Sequence, residues 1–215
     1  MRIGGVNPFS LSDFPGRVAA VVFTQGCNFR CPYCHNASLL SCQAPDESPL
    51  QEEAVLEFIG FRRGCLDAVV VSGGEPCIQP DLSTFLRRIK GMDLSVKLDT
   101  NGSRPEVLRE LLANRLVDHI AMDLKAPLQT YDHLCGVHVP LHLIRESIEL
   151  MSESSIEHEF RTTVVEPLLS PADITLIQEI VPPGSKHRLQ PFCPKHALDP
   201  ALRTSESRKE GGVLA

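Results

Sequence analysis

Residues 26 to 36 read Gly-Cys-Asn-Phe-Arg-Cys-Pro-Tyr-Cys-His-Asn and set Cys27, Cys31 and Cys34 in the spacing C-x3-C-x2-C. Three thiolates on one short loop ask for a soft metal centre and for a rigid element to present them. Iron-sulfur clusters are ordinarily held by Cys thiolates, one per iron, so a loop that supplies only three leaves one iron of a [4Fe-4S] cube open to chemistry. Other readings use the same residues. Cys31-Pro32-Tyr33-Cys34-His35 matches the C-x-x-C-H pattern of c-type haem attachment, and Cys31 with Cys34 matches a redox dithiol. A Cys3His zinc site from Cys27, Cys31, Cys34 and His35 is a further option, strained because Cys34 and His35 are adjacent. The loop alone leaves these readings open.

Bulk properties narrow the setting. A chain of 215 residues supports one domain with a substantial core. Its formal charge of −6, from 21 Lys and Arg against 27 Asp and Glu, leaves no basic block for a nucleic-acid footprint. Nucleic acid is therefore not expected as a partner, and no apolar stretch has membrane-spanning length. Met1 to Gly16 lacks a charged start followed by an apolar segment, and Pro8 and Pro15 interrupt it, so the expected location is the cytoplasm. Cysteines there are more often reduced, ligating or catalytic than paired. Cys42, Cys65, Cys77, Cys135 and Cys193 are scattered and read as ordinary small apolar residues.

The cysteine loop follows Arg17 to Thr24, a β-rich apolar run read as a buried strand. Residues 50 to 63 place Leu50, Val55, Phe58, Ile59 and Arg62 near a 3.6-residue repeat and predict a helix. The alternation then continues. Strands are expected over Ala68 to Val71, Ser95 to Asp99, Val117 to Lys125, Glu157 to Val165 and His187 to Phe192. Helices are expected over residues 81 to 90, from Pro105 to about 114, between 128 and 153, and near 171 to 181. Such strand-helix units imply a parallel sheet with right-handed crossovers. No G-x-G-x-x-G follows a strand, so a dinucleotide-binding sheet has no support. Polar clusters recur at strand carboxyl ends, where a TIM-like barrel places its chemistry. The expected fold is α/β, a partial (β/α)6 TIM-like barrel with helices outside, over residues 1 to 193. From residue 194 to 215 the chain is expected to form a loosely held tail.

Strand parity locates a polar interior. Side chains alternate across a strand, so Lys97 and Asp99 oppose Val96, Leu98 and Thr100; Asp123 and Lys125 oppose Met122 and Leu124; Arg161 opposes Phe160 and Thr162. Unpaired buried charges are costly, so these should either line a polar cavity or form an internal salt-bridge network. Gly73-Gly74-Glu75-Pro76 adds two residues without a Cβ, through which backbone can approach a ligand, and a carboxylate for a cationic group.

The set formed by Cys27-x3-Cys31-x2-Cys34 with Tyr33, Gly73-Gly74-Glu75-Pro76, Asp99-Thr100-Asn101-Gly102 and Asp123-Leu124-Lys125 resembles the radical S-adenosylmethionine (SAM) activating enzymes. Gly4 through Asn36 looks most like the short activating proteins of anaerobic ribonucleoside-triphosphate reductase. The resemblance implies that Cys27, Cys31 and Cys34 ligate a [4Fe-4S] cluster whose fourth iron is chelated by SAM. It implies that Tyr33 packs near the adenine, that Gly73, Gly74 and Glu75 receive the SAM amino group, and that Asp99, Asn101, Asp123, Lys125 and Arg161 lie around SAM. Asp99, Thr100 and Asp123 would also help hold a monovalent cation. The implied partners are a glycyl radical enzyme, foremost the anaerobic ribonucleotide reductase, and a flavodoxin- or ferredoxin-type electron donor. A pyruvate formate-lyase activator or a small-molecule enzyme such as a deazapurine-forming synthase shares the pattern. The stretch Gln190-Pro191-Phe192-Cys193-Pro194 departs from related chains, which often continue with Arg or His there.

Overall fold

The computed structural model describes residues 1–41, 50–166 and 168–203. Seven strands form one sheet in sequence order: β1 (Ile3–Ser10), β2 (Ala19–Thr24), β3 (Ala68–Gly73), β4 (Ser95–Thr100), β5 (His119–Asp123), β6 (Glu157–Val164) and β7 (Lys186–Pro191). From β2 to β7 every neighbouring pair is parallel. These six strands are the expected partial barrel, and its two sheet edges do not meet.

The departure lies at the amino terminus, where β1 pairs antiparallel with β2. Gly4, Gly5 and Pro8 hide it from a reading based on β propensity, since Pro cannot donate to a ladder and belongs on edge strands or at bulges. Both conditions hold, because β1 is an edge strand whose register shifts between Asn7 and Ser10. Fully buried Ile3 anchors the strand, and its carbonyl accepts the Leu50 amide at 2.9 Å. Leu50 is thereby held in a bridge to Ile3 ahead of α1 (Glu52–Arg62), rather than on that helix.

The remaining helices are α2 (Leu82–Lys90), α3 (Pro105–Ala113), α4 (Tyr131–Cys135), α5 (Leu141–Glu153) and α6 (Pro171–Ile180). In α2, Leu82, Phe85, Leu86 and Ile89 recur at helical spacing and are all buried, while Arg87, Arg88 and Lys90 crowd its last turn, as the helix dipole favours. The helical material expected between 128 and 153 is split, because Gly136 ends α4 in the left-handed conformation and Pro140 precedes α5. Outward-facing strand residues such as Val69, Val71, Val96, Leu98, Ile120, Met122 and Phe160 pack against these helices in the main core. On the inner face Ala19, Val21, Ala68 and Val70 form a small cluster with Phe14.

The described part of the expected tail, residues 194–203, contains short local structure. Two 3-10 turns, Pro194–His196 and Pro200–Arg203, fold back, bury Ala197 and give the Asp199 amide to the Pro32 carbonyl at 2.8 Å. Leu202 packs against the main core and the Arg203 guanidinium donates to the Ala197 carbonyl at 2.6 Å, so packing and hydrogen bonds together hold these turns.

Candidate active site

The loop after β2 is positioned by its own backbone. Gly26 donates to the Leu39 carbonyl at 2.7 Å, and its own carbonyl accepts the Glu75 amide at 2.9 Å, tying the β2 and β3 ends together. Gly74 permits this approach, since a Cβ there would stand 2.0 Å from the Gly26 oxygen. Gly73 has φ +109, a conformation that favours glycine. Arg30 gives its amide to the Cys135 carbonyl at 2.7 Å, and its guanidinium turns back onto the Cys27 and Phe29 carbonyls at 2.6 and 2.7 Å. Asn28 is held by Ser103 at 2.8 Å and by the Asn101 side chain at 2.9 Å. Three strand ends, α4 and the tail therefore fix one loop.

The thiols of Cys27, Cys31 and Cys34 are free and at most half-exposed. Burial, with the nearby Glu75 charge, pushes the Cys27 thiol up to about 12. Cys31 is drawn down to about 7, first by a side-chain hydrogen bond from Cys135 and against the opposing effect of burial. Tyr33 is almost fully buried. Among the described residues no three His, Cys, Asp or Glu side chains converge on one ion. A zinc site would require such convergence, whereas a cube takes each thiolate on a different iron. Three free thiols on one loop are the donor chemistry that an iron-sulfur cluster takes.

Glu75 lies beneath the loop and is buried. Its carboxylate accepts the Cys77 amide at 3.0 Å, the Thr100 hydroxyl at 2.7 Å and the Asn101 amide at 2.7 Å. Burial raises its pKa, and these bonds oppose the rise. Both oxygens are thus committed to the ends of β3 and β4, so the carboxylate acts as an internal brace. Asn101 is engaged likewise, its side-chain oxygen accepting the Ser103 amide at 3.0 Å. The Thr100 hydroxyl points to Glu75, on the face of β4 away from Asp99, as alternation requires.

The inner face carries a continuous chain of charges. Lys97 pairs with Asp99 at 2.8 Å, Arg161 with Asp99 at 3.3 Å and with Asp123 at 2.9 Å, and Lys125 with Asp123 at 2.9 Å. Three cations alternate with two carboxylates across β4, β5 and β6 to the segment just after β5, and a half-buried Arg188 on β7 meets buried Glu159 at 3.2 Å. Burial alone would raise Asp123, but Arg161 and Lys125 hold its carboxyl well below the usual range. Lys125 is held well above its ordinary value by Asp123 despite burial. Arg161 sits between Asp99 and Asp123, so a cation already joins those two carboxylates. Lys125 reaches from this chain toward Cys31 and Tyr33, whose ionisation it influences.

The network and the cysteine loop meet at one end of the sheet. Sequence reasoning did not single out Asn28, Ser103, Asp199 or Cys135, which join through contacts between distant segments and leave no local pattern. Of the other cysteines, Cys77 is buried, Cys65 and Cys193 are exposed, and Cys42 lies outside the described residues.

A partial α/β barrel presenting three free thiols and a charged interior at its strand carboxyl ends defines a class: barrel enzymes that carry a cluster at the mouth. Residues 21–174 match the Radical SAM superfamily, and the chain belongs to it. That superfamily uses a [4Fe-4S] cluster and SAM, so the protein is an enzyme working with both. A Methanocaldococcus jannaschii protein named as a candidate glycyl-radical enzyme activating enzyme is 33% identical over 213 residues, covering 97% of this chain and 87% of that protein. The pyruvate formate-lyase-activating enzyme of Clostridium pasteurianum is 32% identical over 127 residues, covering 58% of this chain and 52% of that enzyme. SuiB of Streptococcus suis bound to SAM shares the fold with a TM-score of 0.55 at 15% identity, over 79% of this chain and 39% of its own. This chain therefore spans only part of the length of those last two proteins. Among the described residues no helix is long and apolar enough to cross a membrane.

Proposed function

We propose that this protein activates a glycyl radical enzyme. When bound, the cluster and SAM supply a 5′-deoxyadenosyl radical, which takes a hydrogen atom from a glycine Cα of the partner. The observation that carries the reading is the 33% identity to the M. jannaschii protein over nearly the whole of both chains.

Each residue then has a task. Cys27, Cys31 and Cys34 hold the cluster on a loop too well braced to drift. The Gly73 and Gly74 backbone admits the SAM amino group, while Glu75, Thr100 and Asn101 fix that backbone from behind. Asp99, Asp123, Lys125 and Arg161 form a preorganised polar wall for the amino acid and ribose portions, already paired and so little changed on binding. Positioning of this kind supplies about 7 to 11 kcal/mol of a barrier in well-oriented systems. Tyr33 backs the loop near the adenine. Asp99, Asp123 and the Thr100 carbonyl could take a monovalent cation only after Arg161 shifts, so a cation is a secondary feature of this reading.

The anaerobic ribonucleoside-triphosphate reductase is the proposed partner, supported by the likeness of Gly4 through Asn36 to its short activating proteins. A flavodoxin- or ferredoxin-type protein is the proposed electron donor, and the cytoplasm the proposed location. The test is anaerobic reconstitution with iron and sulfide, followed by spin-resonance detection of a glycyl radical on added reductase. A radical should form with that reductase and SAM and be lost in Cys27→Ala, Cys31→Ala and Cys34→Ala, which should also lose most of their iron. SAM cleavage that proceeds at full rate without any protein partner would instead assign a small-molecule substrate.

A further inference from the structure

Arg188 and Glu159 have no part in the reading above, although both face the barrel interior. Arg188 is the register partner of Arg161 in the parallel pair of β6 and β7, and such neighbours present their side chains to the same face. Arg161 faces inward, since it pairs with Asp99 and Asp123. His187 shows the same parity from the other side, its ring nitrogen standing 3.0 Å from the hydroxyl of buried Thr162 on the face turned to the helices. Arg188 thus stands beside Arg161 but on the last strand of the sheet, whose far edge carries no neighbouring strand among the described residues. Its anchor is buried. Among the described residues Glu159 has one ion-pair partner, the Arg188 Nη2 at 3.2 Å. A buried carboxylate is costly without a cation, so the pair fixes the Arg188 side chain. It engages one nitrogen of a guanidinium that carries five N–H donors. Lys97, Arg161 and Lys125 bond the carboxylates of the charged chain, whereas Arg188 stands outside that chain, half-buried, with donors to spare.

We propose that Arg188 is a specificity-determining residue: its unengaged N–H groups receive an oxygen acceptor, a main-chain carbonyl or a carboxylate, of the partner's glycine-bearing segment as it enters between the edges of β1 and β7. This rests on the proposed activation of a glycyl radical enzyme. Planar donors in a fixed fork suit such an acceptor. A contact at the open edge holds the segment in the gap without drawing on the residues assigned to SAM. Glu159 is the positioning residue, keeping the guanidinium in place when no partner is present.

The test uses the full-length chain, reconstituted without oxygen and saturated with SAM, with anaerobic ribonucleotide reductase as the partner. Binding is read by anisotropy of labelled reductase, radical formation by spin resonance as KM and kcat, and SAM affinity by calorimetry. Arg188→Ala should raise the reductase Kd and KM about tenfold, the worth of one charge-assisted hydrogen bond, with SAM affinity unchanged. Arg188→Lys should recover part of the loss. Because Arg188→Ala strands the Glu159 charge and can unfold the chain, the double variant with Glu159→Gln, which removes that charge, should show the same KM. Glu159→Gln alone, which keeps the guanidinium but frees it, should raise KM by less than Arg188→Ala. A peptide copying the reductase's glycine region, compared with one whose Asp and Glu are replaced by Asn and Gln, separates the two acceptors: a loss of binding in Arg188→Ala that survives the replacement points to a main-chain carbonyl, and one that vanishes points to a carboxylate. Unchanged Kd and KM in Arg188→Ala, or a loss of SAM affinity that accounts for their rise, overturns the proposal. Reductase binding that depends on Arg188, with no radical formed by the wild type, would keep the proposal and reject activation of that reductase; a wild type that neither binds the reductase nor forms a radical on it would reject both.

Discussion

Gly74 shows how much of the site is decided by the lack of one carbon. Its amide donates to the Thr24 carbonyl at 2.9 Å, and the position a Cβ would occupy is 2.0 Å from the Gly26 oxygen and 3.2 Å from the Leu39 oxygen. Both obstacles are backbone, so no side-chain rotation relieves them. Gly74→Ala must push the β2 end, and with it Cys27, away from β3. The expected cost is about 1 to 3 kcal/mol, the usual range for overpacking, and the expected readout is a lower urea midpoint together with less iron per chain after reconstitution. Unchanged iron content would show that the loop tolerates the shift. Gly64 makes an instructive control, since a Cβ there meets nothing within 4 Å and its φ is not positive.

Elements differed in how legible they were from sequence, and the reason is physical. Strands β2 to β5 are short β-rich runs closed by polar or glycine residues, and alternation along β4, β5 and β6 located the charged interior. β1 carried no such run, because an edge strand needs only half its bonds and tolerates Gly4, Gly5 and Pro8. The Gly-Gly-Glu-Pro turn was visible, but the direction of the Glu75 carboxylate was not, since its partners come from β4. The carboxyl-terminal turns were hidden for the same reason: their contacts with Pro32 and the main core are distant in sequence. A chain ending at Cys193 should lose the Asp199 bond to Pro32 and the packing of Ala197 and Leu202. One hydrogen bond and part of one Leu side chain amount to about 1 to 3 kcal/mol. The shortened chain is expected to unfold at a lower temperature and to release iron faster to a chelator; equal release rates would remove the tail from the support of the loop.

Across the whole molecule, two carboxylates pull the pH dependence of stability in opposite directions. Asp123 has a folded pKa below its unfolded value, since Arg161 and Lys125 outweigh burial. Its stabilising contribution is complete above the unfolded value, about 3.9 for Asp, and is lost as pH falls through the folded one. Glu75 is the reverse case, because burial raises its pKa above the unfolded value despite three donors. Its contribution is complete below the unfolded value, about 4.3 for Glu, and declines as pH rises through its folded pKa. Stability of the iron-free chain should therefore fall on the acid side through Asp123 and again, as pH rises above the unfolded Glu value, through Glu75. Urea unfolding without oxygen between about pH 3 and pH 8 measures both limbs. Asp123→Asn should flatten the acid limb, leaving the other in place, and Glu75→Gln should flatten the rising-pH limb while adding a constant loss of about 1 to 3 kcal/mol from its amide group facing the Asn101 amide. Parallel curves for the wild type and Asp123→Asn would mean that the Arg161 and Lys125 pairs do not persist in solution. The five-charge chain would then be a feature of loaded enzyme alone, formed around SAM instead of waiting for it.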